Sequence, residues 1–142
     1  MRGARALPPL LVVAALGACS PPPSALPATV ACTYQYRPGA GASAGQRSGT
    51  LEVLGTTGPA TAPAVAELAD FSIEAVYVSA GPEGASVRVA VDDPAGEPLH
   101  HVLYQVDAGA DLDESFTSHG FTGLHYVYRG AAELQYFCVA DG

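Results

Sequence analysis

The chain has 142 residues, of which 49% are apolar and 14% are charged, a composition typical of a single globular domain. Its six cationic residues are all arginines and stand against 14 acidic residues, which gives a formal net charge of −8. A protein that binds nucleic acid by neutralising phosphates needs clustered cations, so no nucleic-acid partner is expected.

The first eighteen residues have the pattern of a signal peptide. Arg2 and Arg5 precede an apolar run over residues 6–18, which is too short for a membrane-spanning helix of roughly 20 residues. The run ends in Leu16-Gly17-Ala18-Cys19, which resembles the lipobox of bacterial lipoproteins. In that class the Cys thiol receives a diacylglyceryl group, and signal peptidase II then cuts before it. The alternative is ordinary secretion, in which Cys19 is removed or incidental.

The lipobox resemblance implies that residues 1–18 are removed and that Cys19 carries the membrane anchor. Each buried CH₂ of an acyl chain contributes about 0.8 kcal/mol to membrane binding. Residues 19–28 contain three consecutive prolines, Pro21–Pro23, and are expected to form an extended tether. Without Arg2 and Arg5 the mature chain has four arginines against 14 acids, or −10, so it repels anionic lipid and depends on the acyl chains. The expected location is a bacterial membrane surface, the outer membrane if the host has one.

The remaining two cysteines, Cys32 and Cys138, are predicted to form a disulfide bond across the single β domain at residues 29–142. Exported proteins meet an oxidising compartment, where paired thiols are bridged. Free thiols are the alternative, and two distant thiols make a poor metal site. The bridge requires the first and last strands of the domain to be neighbours.

Period-two alternation of apolar and polar residues predicts about seven strands, separated by turn-forming Gly, Pro and Asp residues. One short helix is expected near 62–69, beginning close to Pro63. The predicted fold class is all-β, an antiparallel β-sandwich or a small barrel. The strand segments are 30–37, 49–54, 71–79, 86–92, 98–106, 120–129 and 134–140.

We expect segment 98–106 to pair with two neighbours, 86–92 and 120–129. Val91 would lie opposite Pro98, and this register assigns the residues of the three strands to two faces. The second face is either covered by residues 62–68 or the other sheet, or is an exposed apolar patch for a protein partner. The predicted core face contains Val87, Val89, Val91, Val102, Tyr104, Leu124, Tyr126 and Tyr128. The reverse face, a candidate binding patch, contains Leu99, His101, Leu103, Phe121, His125 and Val127.

Two groups of residues are candidate metal ligands. The same register places His101 opposite His125, where they could hold Zn²⁺ or Cu²⁺ with His119 or an acid as third ligand, or could simply be paired polar aromatics. The acidic residues of the loop before His119 could wrap Ca²⁺ or form a solvated loop. These acidic residues are Asp107, Asp111, Asp113 and Glu114. No cofactor is expected.

The sequence gives little support for catalysis, because Ser115, Ser118 and His119 are close in sequence without a nucleophile-elbow motif. Seven tyrosines would suit a sugar-binding platform, but the predicted register turns most of them toward the core. The expected function is that of a lipid-anchored binding or envelope-structural module, with a protein partner in the envelope or a host fluid. Small β lipoproteins with a bridge near their ends include lysozyme inhibitors, and a hydrolase-inhibitor role is a hypothesis by analogy with them. Divalent-metal binding is the alternative function.

Overall fold

The protein is an all-β sandwich of two sheets, as the alternation predicts, and not a closed barrel. The computed structural model describes residues 26–39, 41, 43–57, 62–81, 84–106 and 119–141. The predicted signal peptide and Cys19 lie outside these ranges, as does the loop that contains Asp107, Asp111, Asp113 and Glu114. The strands are β1 (Thr29–Arg37), β2 (Arg47–Leu54), β3 (Thr56–Thr57), β4 (Ala64–Glu67), β5 (Ser72–Ala80), β6 (Ala85–Asp92), β7 (Pro98–Val106), β8 (His125–Arg129) and β9 (Ala132–Asp141).

The strands divide between two sheets that pack face to face. Sheet A has the order β2-β1-β9-β8, and sheet B has the order β3-β5-β6-β7, with β4 also paired to β5. All pairs are antiparallel except β3 with β5. None of the described residues forms a helix that could cross a membrane.

The helix predicted near 62–69 is wrong, because this segment forms strand β4 against β5. Ala64, Ala66 and Leu68 are half-buried against the core, while Val65 and Glu67 between them are exposed. Burial on one face therefore follows a period of two, which favours a strand over a helix. Pro63 precedes the strand, where its missing N–H costs no ladder hydrogen bond.

The hydrophobic core lies between the sheets and is built from alternate residues of each strand. The valines of β6 are fully buried, as predicted, and belong to the same core cluster as the buried residues of β1 and β9. The buried residues in the described part of the chain are aliphatic residues, phenylalanine, tyrosines and the two bridged cysteines. The largest fully buried side chains are Tyr77, Tyr136, Phe71, Ile73, Leu134, Val30, Val87, Val89, Val91, Cys32 and Cys138.

The predicted disulfide bond between Cys32 and Cys138 is confirmed. The two residues are directly opposite each other on β1 and β9, with their Cα atoms 4.0 Å apart and a sulfur–sulfur bond between them. The first and last strands of the domain are thus paired along their length, and the bridge closes a loop of 106 residues. This pairing makes β1 and β9 the centre of sheet A.

The predicted pairing of β7 with both neighbours is half right. β7 pairs with β6, but Val91 is opposite His100 instead of Pro98, with a register shift between Val91 and Asp92. An offset of two residues leaves every side chain on its predicted face, because side chains alternate with a period of two. Val102 and Tyr104 of β7 accordingly face inward and are half-buried.

The predicted pairing of β7 with residues 120–129 is wrong, since β8 pairs with β9 in the other sheet. Arg129 is opposite Ala132, so a two-residue turn at Gly130, with φ of 60°, fixes the register of β8. Val127 is therefore buried, whereas Tyr126 and Tyr128 of the predicted core face are exposed. Leu124 is half-buried and precedes β8.

One end of the sandwich is closed by a polar network that joins the sheets. The Tyr36 hydroxyl of β1 donates to Asp70 at 2.5 Å, and Arg129 of β8 lies 3.4 Å from the same carboxylate and 3.8 Å from Asp93. Burial, followed by the hydrogen bond to Asp70, raises the pKa of Tyr36 to about 12.

Candidate functional site

The predicted apolar patch does not form a single surface. Leu99, His101 and Leu103 are exposed on the outer face of β7, and Leu103 is 61% exposed. Val127 is only 5% exposed and belongs to the core, because β8 is in the other sheet. His125 and Phe121 are half-buried. Of the six residues of the predicted patch, only these three residues of β7 lie on the outer surface of sheet B.

The predicted pairing of His101 with His125 is also wrong. The Nε2 atom of His101 lies 2.6 Å from a carboxylate oxygen of Asp92, on the outer face of sheet B. The ring next to His125 is that of His100, with ring centroids 5.1 Å apart. His119 lies elsewhere, in edge-to-face contact with Phe137.

His125 is part of an aromatic cluster between the two sheets. Its ring stacks on Tyr136, with centroids 4.9 Å apart, and its Nε2 lies 2.5 Å from the Tyr104 hydroxyl and 3.1 Å from the Thr122 carbonyl oxygen. A carbonyl oxygen only accepts, so Nε2 carries the proton when both contacts are made, and the Tyr104 oxygen shares it. His100 completes the cluster, 5.9 Å from the Tyr136 ring.

Two buried polar atoms in this cluster, His100 Nε2 and the Tyr136 hydroxyl, have no hydrogen-bonding partner. Leaving such an atom unsatisfied costs about 1–3 kcal/mol. Burial, followed by the nearby His125 and His101, lowers the pKa of His100. Burial also raises the pKa of Tyr136, with a smaller contribution from Tyr104. Both side chains are thus held in their neutral forms.

The predicted metal site of His101 and His125 is not assembled, because the two residues lie in different sheets. The described part of the chain contains no group of three or more His, Cys, Asp or Glu side chains that could hold a metal ion. The candidate Ca²⁺ ligands Asp107, Asp111, Asp113 and Glu114 lie outside the described residues. The cluster of His100 and His125 offers two imidazoles and the two tyrosine hydroxyls.

The outer face of sheet A carries a different set of side chains, which we call the platform. Two cross-strand rows define it, running from β8 across β9 to β1. Tyr126 and Tyr128 on β8 are 50% and 61% exposed. The first row is Tyr126, Gln135 and Gln35, and the second is Tyr128, Glu133 and Arg37.

Glu133 holds the second row in place. Its carboxylate accepts hydrogen bonds from Arg37 and Gln135, each at 2.5 Å, and from Tyr128. The hydrogen bond from Gln135, followed by the Arg37 charge and the Tyr128 hydroxyl, lowers the pKa of Glu133 despite its partial burial. The Tyr128 ring is therefore anchored at its hydroxyl while its face stays exposed.

A hollow of about 200 Å³ lies beside the first row. The segment 119–124 forms its wall, and it is fixed to β9 because the Cys138 amide donates to the Thr122 hydroxyl at 2.8 Å. Gly120, with φ of 64°, packs so closely on β9 that a Cβ there would lie 2.0 Å from a main-chain oxygen. The hollow is lined by Thr33, Gln35, Gln135, Phe137, His119 and Leu124, over Tyr34 and Tyr136.

A second, more open hollow of about 420 Å³ adjoins the platform at Gln35. It lies between β1 and β2 and is lined by polar side chains, including Arg37, Arg47 and Ser48. The two hollows share Gln35, so polar groups continue across the outer face of sheet A from β2 to β8.

The platform was missed by the sequence prediction because Tyr126 and Tyr128 were assigned to the core. The available signal was the Gly130 turn, which favours a tight hairpin between 125–129 and 132–141 over a pairing across the long connection from β7. No family model, curated protein or solved structure matches this chain.

Proposed function

We propose that this chain is an exported, lipid-anchored binding module of the bacterial envelope, and that the platform is its ligand-binding surface. The observation that carries the proposal is the exposure of Tyr126 and Tyr128 side by side on one strand, next to a hollow. Tyrosines provide a large contact area at a low cost in conformational entropy, and they are enriched at binding surfaces. The rigid sheet and the Glu133 anchor reduce that cost further.

The position of the tether supports this use of the platform. The Pro27 carbonyl accepts a hydrogen bond from Tyr77 at 2.9 Å, so the chain enters the domain at the start of β1. Arg37 is at the far end of β1, about 27 Å away at roughly 3.4 Å per residue. With Cys19 lipidated, as its lipobox resemblance implies, the second row of the platform, which includes Arg37, would be held away from the membrane.

Photo-cross-linking in intact cells tests the proposal. A photoreactive residue at position 35 replaces an exposed platform side chain, and the matched control replaces Leu103 on the outer face of sheet B. We expect a discrete cross-linked product from position 35 and none from position 103. Equal products from both positions, or none from position 35, would contradict the proposal. A hydrolase in the product would support the inhibitor hypothesis.

The anchor is tested separately with Cys19→Ala, which removes the thiol that is acylated in lipoproteins. We expect wild-type protein to sediment with membranes and the variant to be released from them. The intact mass of the wild-type protein should include acyl chains on an amino-terminal Cys19. An unacylated amino terminus beyond position 19 would refute the anchor.

A second candidate function, divalent-metal binding, is favoured by the contact between His100 and His125 and by the unpartnered Tyr136 hydroxyl. Imidazole is a common ligand of Zn²⁺ and Cu²⁺. If the site binds either metal, equimolar ZnCl₂ or CuCl₂ should raise the melting temperature. The increase should disappear in His100→Phe and persist in His101→Ala. No increase with either metal would rule this candidate out.

A further inference from the structure

We infer that the platform binds a neutral glycan built of pyranose units. This inference rests on the proposed function and names its ligand class.

The two exposed tyrosines provide stacking surfaces for sugar rings. Tyr126 and Tyr128 are two residues apart on β8, so they lie about 6.7 Å apart along the same face. This spacing is on the scale of one pyranose ring. The faces of a pyranose carry C–H groups, which pack on an aromatic ring, while its hydroxyl groups point outward along the ring edge. Stacked sugar rings would therefore extend along β8 with their hydroxyls directed toward β9.

The neighbouring residues provide partners for those hydroxyl groups. Gln35 is exposed and has no hydrogen bond to another side chain in the part of the chain that the structure describes. Gln135 uses one amide N–H on Glu133, which leaves its carbonyl oxygen to accept. Thr33 shares a hydrogen bond of 3.3 Å with Thr50 and faces the same hollow. A sugar hydroxyl both donates and accepts, as an amide group does, so these groups match a polyol.

The charge of the platform favours a neutral ligand over an anionic one. Among the residues that the structure describes, the lining of the 200 Å³ hollow includes no carboxylate and no guanidinium group. The two charged residues of the platform rows, Arg37 and Glu133, are paired with each other at 2.5 Å, whereas Arg47 lies in the adjoining hollow. The mature domain has a formal charge of −10, which repels anionic polysaccharides. A protein partner is the competing occupant, and cross-linking from position 35 would reveal it as a protein product.

Calorimetric titration of the full-length protein tests the inference. The protein is extracted from membranes in a detergent without a sugar headgroup, and the probes are maltohexaose, cellohexaose and N-acetylchitohexaose. We expect at least one probe to bind. Tyr126→Ala should weaken that binding about tenfold or more, as for other aromatic anchors of binding surfaces. Gln35→Ala should weaken it less, and Tyr126→Phe should nearly restore it, because the ring face is retained.

The matched control is Leu103→Ala, since Leu103 and Tyr128 are each 61% exposed but lie on opposite sheets. We expect this variant to bind like wild type. Failure of all three probes to bind, or binding that Tyr126→Ala leaves unchanged, would overturn the glycan inference. If cross-linking from position 35 still gives a discrete product, the platform binds a different ligand and the proposed function stands. If no glycan probe binds and position 35 gives no cross-linked product, the proposed function is refuted as well.

Discussion

Removal of the disulfide bond should cost this domain a large part of its stability. Cys32 and Cys138 close a loop of 106 residues, and the chain-entropy relation gives about 4.7 kcal/mol for a loop of this length. A domain of this size is held together by roughly 5–15 kcal/mol. We therefore expect Cys32→Ala to lower the free energy of unfolding by about 4–5 kcal/mol, including a small packing loss at a fully buried site.

The assay is urea unfolding in a Cys19→Ala background, followed by circular dichroism. Either single variant abolishes the bridge, so Cys32→Ala, Cys138→Ala and the double variant should lose similar amounts of stability, far short of additivity. The dependence of the unfolding free energy on urea should also steepen, because the unfolded chain is no longer cross-linked and exposes more surface. Additive losses, or a loss below about 1 kcal/mol, would refute the entropic reasoning.

Three further predictions concern the register of β8, the close approach of Gly120 to β9 and the titration of Tyr36. Val127→Ala should cost about 2 kcal/mol of unfolding free energy, and Tyr126→Ala less than about 0.5 kcal/mol. A larger loss for Tyr126→Ala than for Val127→Ala would mean that Tyr126 is in the core and Val127 is not, as predicted from the sequence. Gly120→Ala should cost more than about 2 kcal/mol, because its Cβ would meet the main chain of β9, and Gly130→Ala, which has open space, only about 1 kcal/mol. Because folding raises the pKa of Tyr36 from 10.0 to about 12, its contribution to stability is complete below pH 10 and is lost as the pH rises toward 12. Tyr36→Phe should flatten the decline of melting temperature over that range, and an unchanged decline would contradict this assignment.

The local patterns in the sequence were sufficient for most of the fold. The alternation of the β6 valines placed them in the core correctly, and the turn over 92–96 is stabilised as its Asp and Gly residues predict. Asp93 accepts hydrogen bonds from the amides of Ala95 and Glu97, and Gly96 has a φ of 83°. The disulfide bond followed from the count of cysteines and their position near the ends of the domain.

The assignments that failed depended on contacts between distant segments. The chain after β7 can either return to the sheet that contains β6 or cross to the other sheet. Tertiary packing decides between the two, because the alternation of apolar and polar residues is the same in both cases. The choice of the wrong sheet reversed the faces of β8 and hid Tyr126 and Tyr128 in a predicted core. In β4 the short segment around Ala64 had too few residues to separate a helical from a strand period.

Tyrosine iodination of living cells tests most directly whether the platform is occupied in the envelope. Tyr126 and Tyr128 should be iodinated in the purified domain and protected on cells, while buried Tyr77 and Tyr136 stay unreactive in both. A Leu103→Tyr variant adds a reference tyrosine on the opposite sheet, which should be iodinated in both settings. Equal iodination of Tyr126 and Tyr128 in the purified domain and on cells, with the reference tyrosine labelled, would contradict a ligand-binding platform.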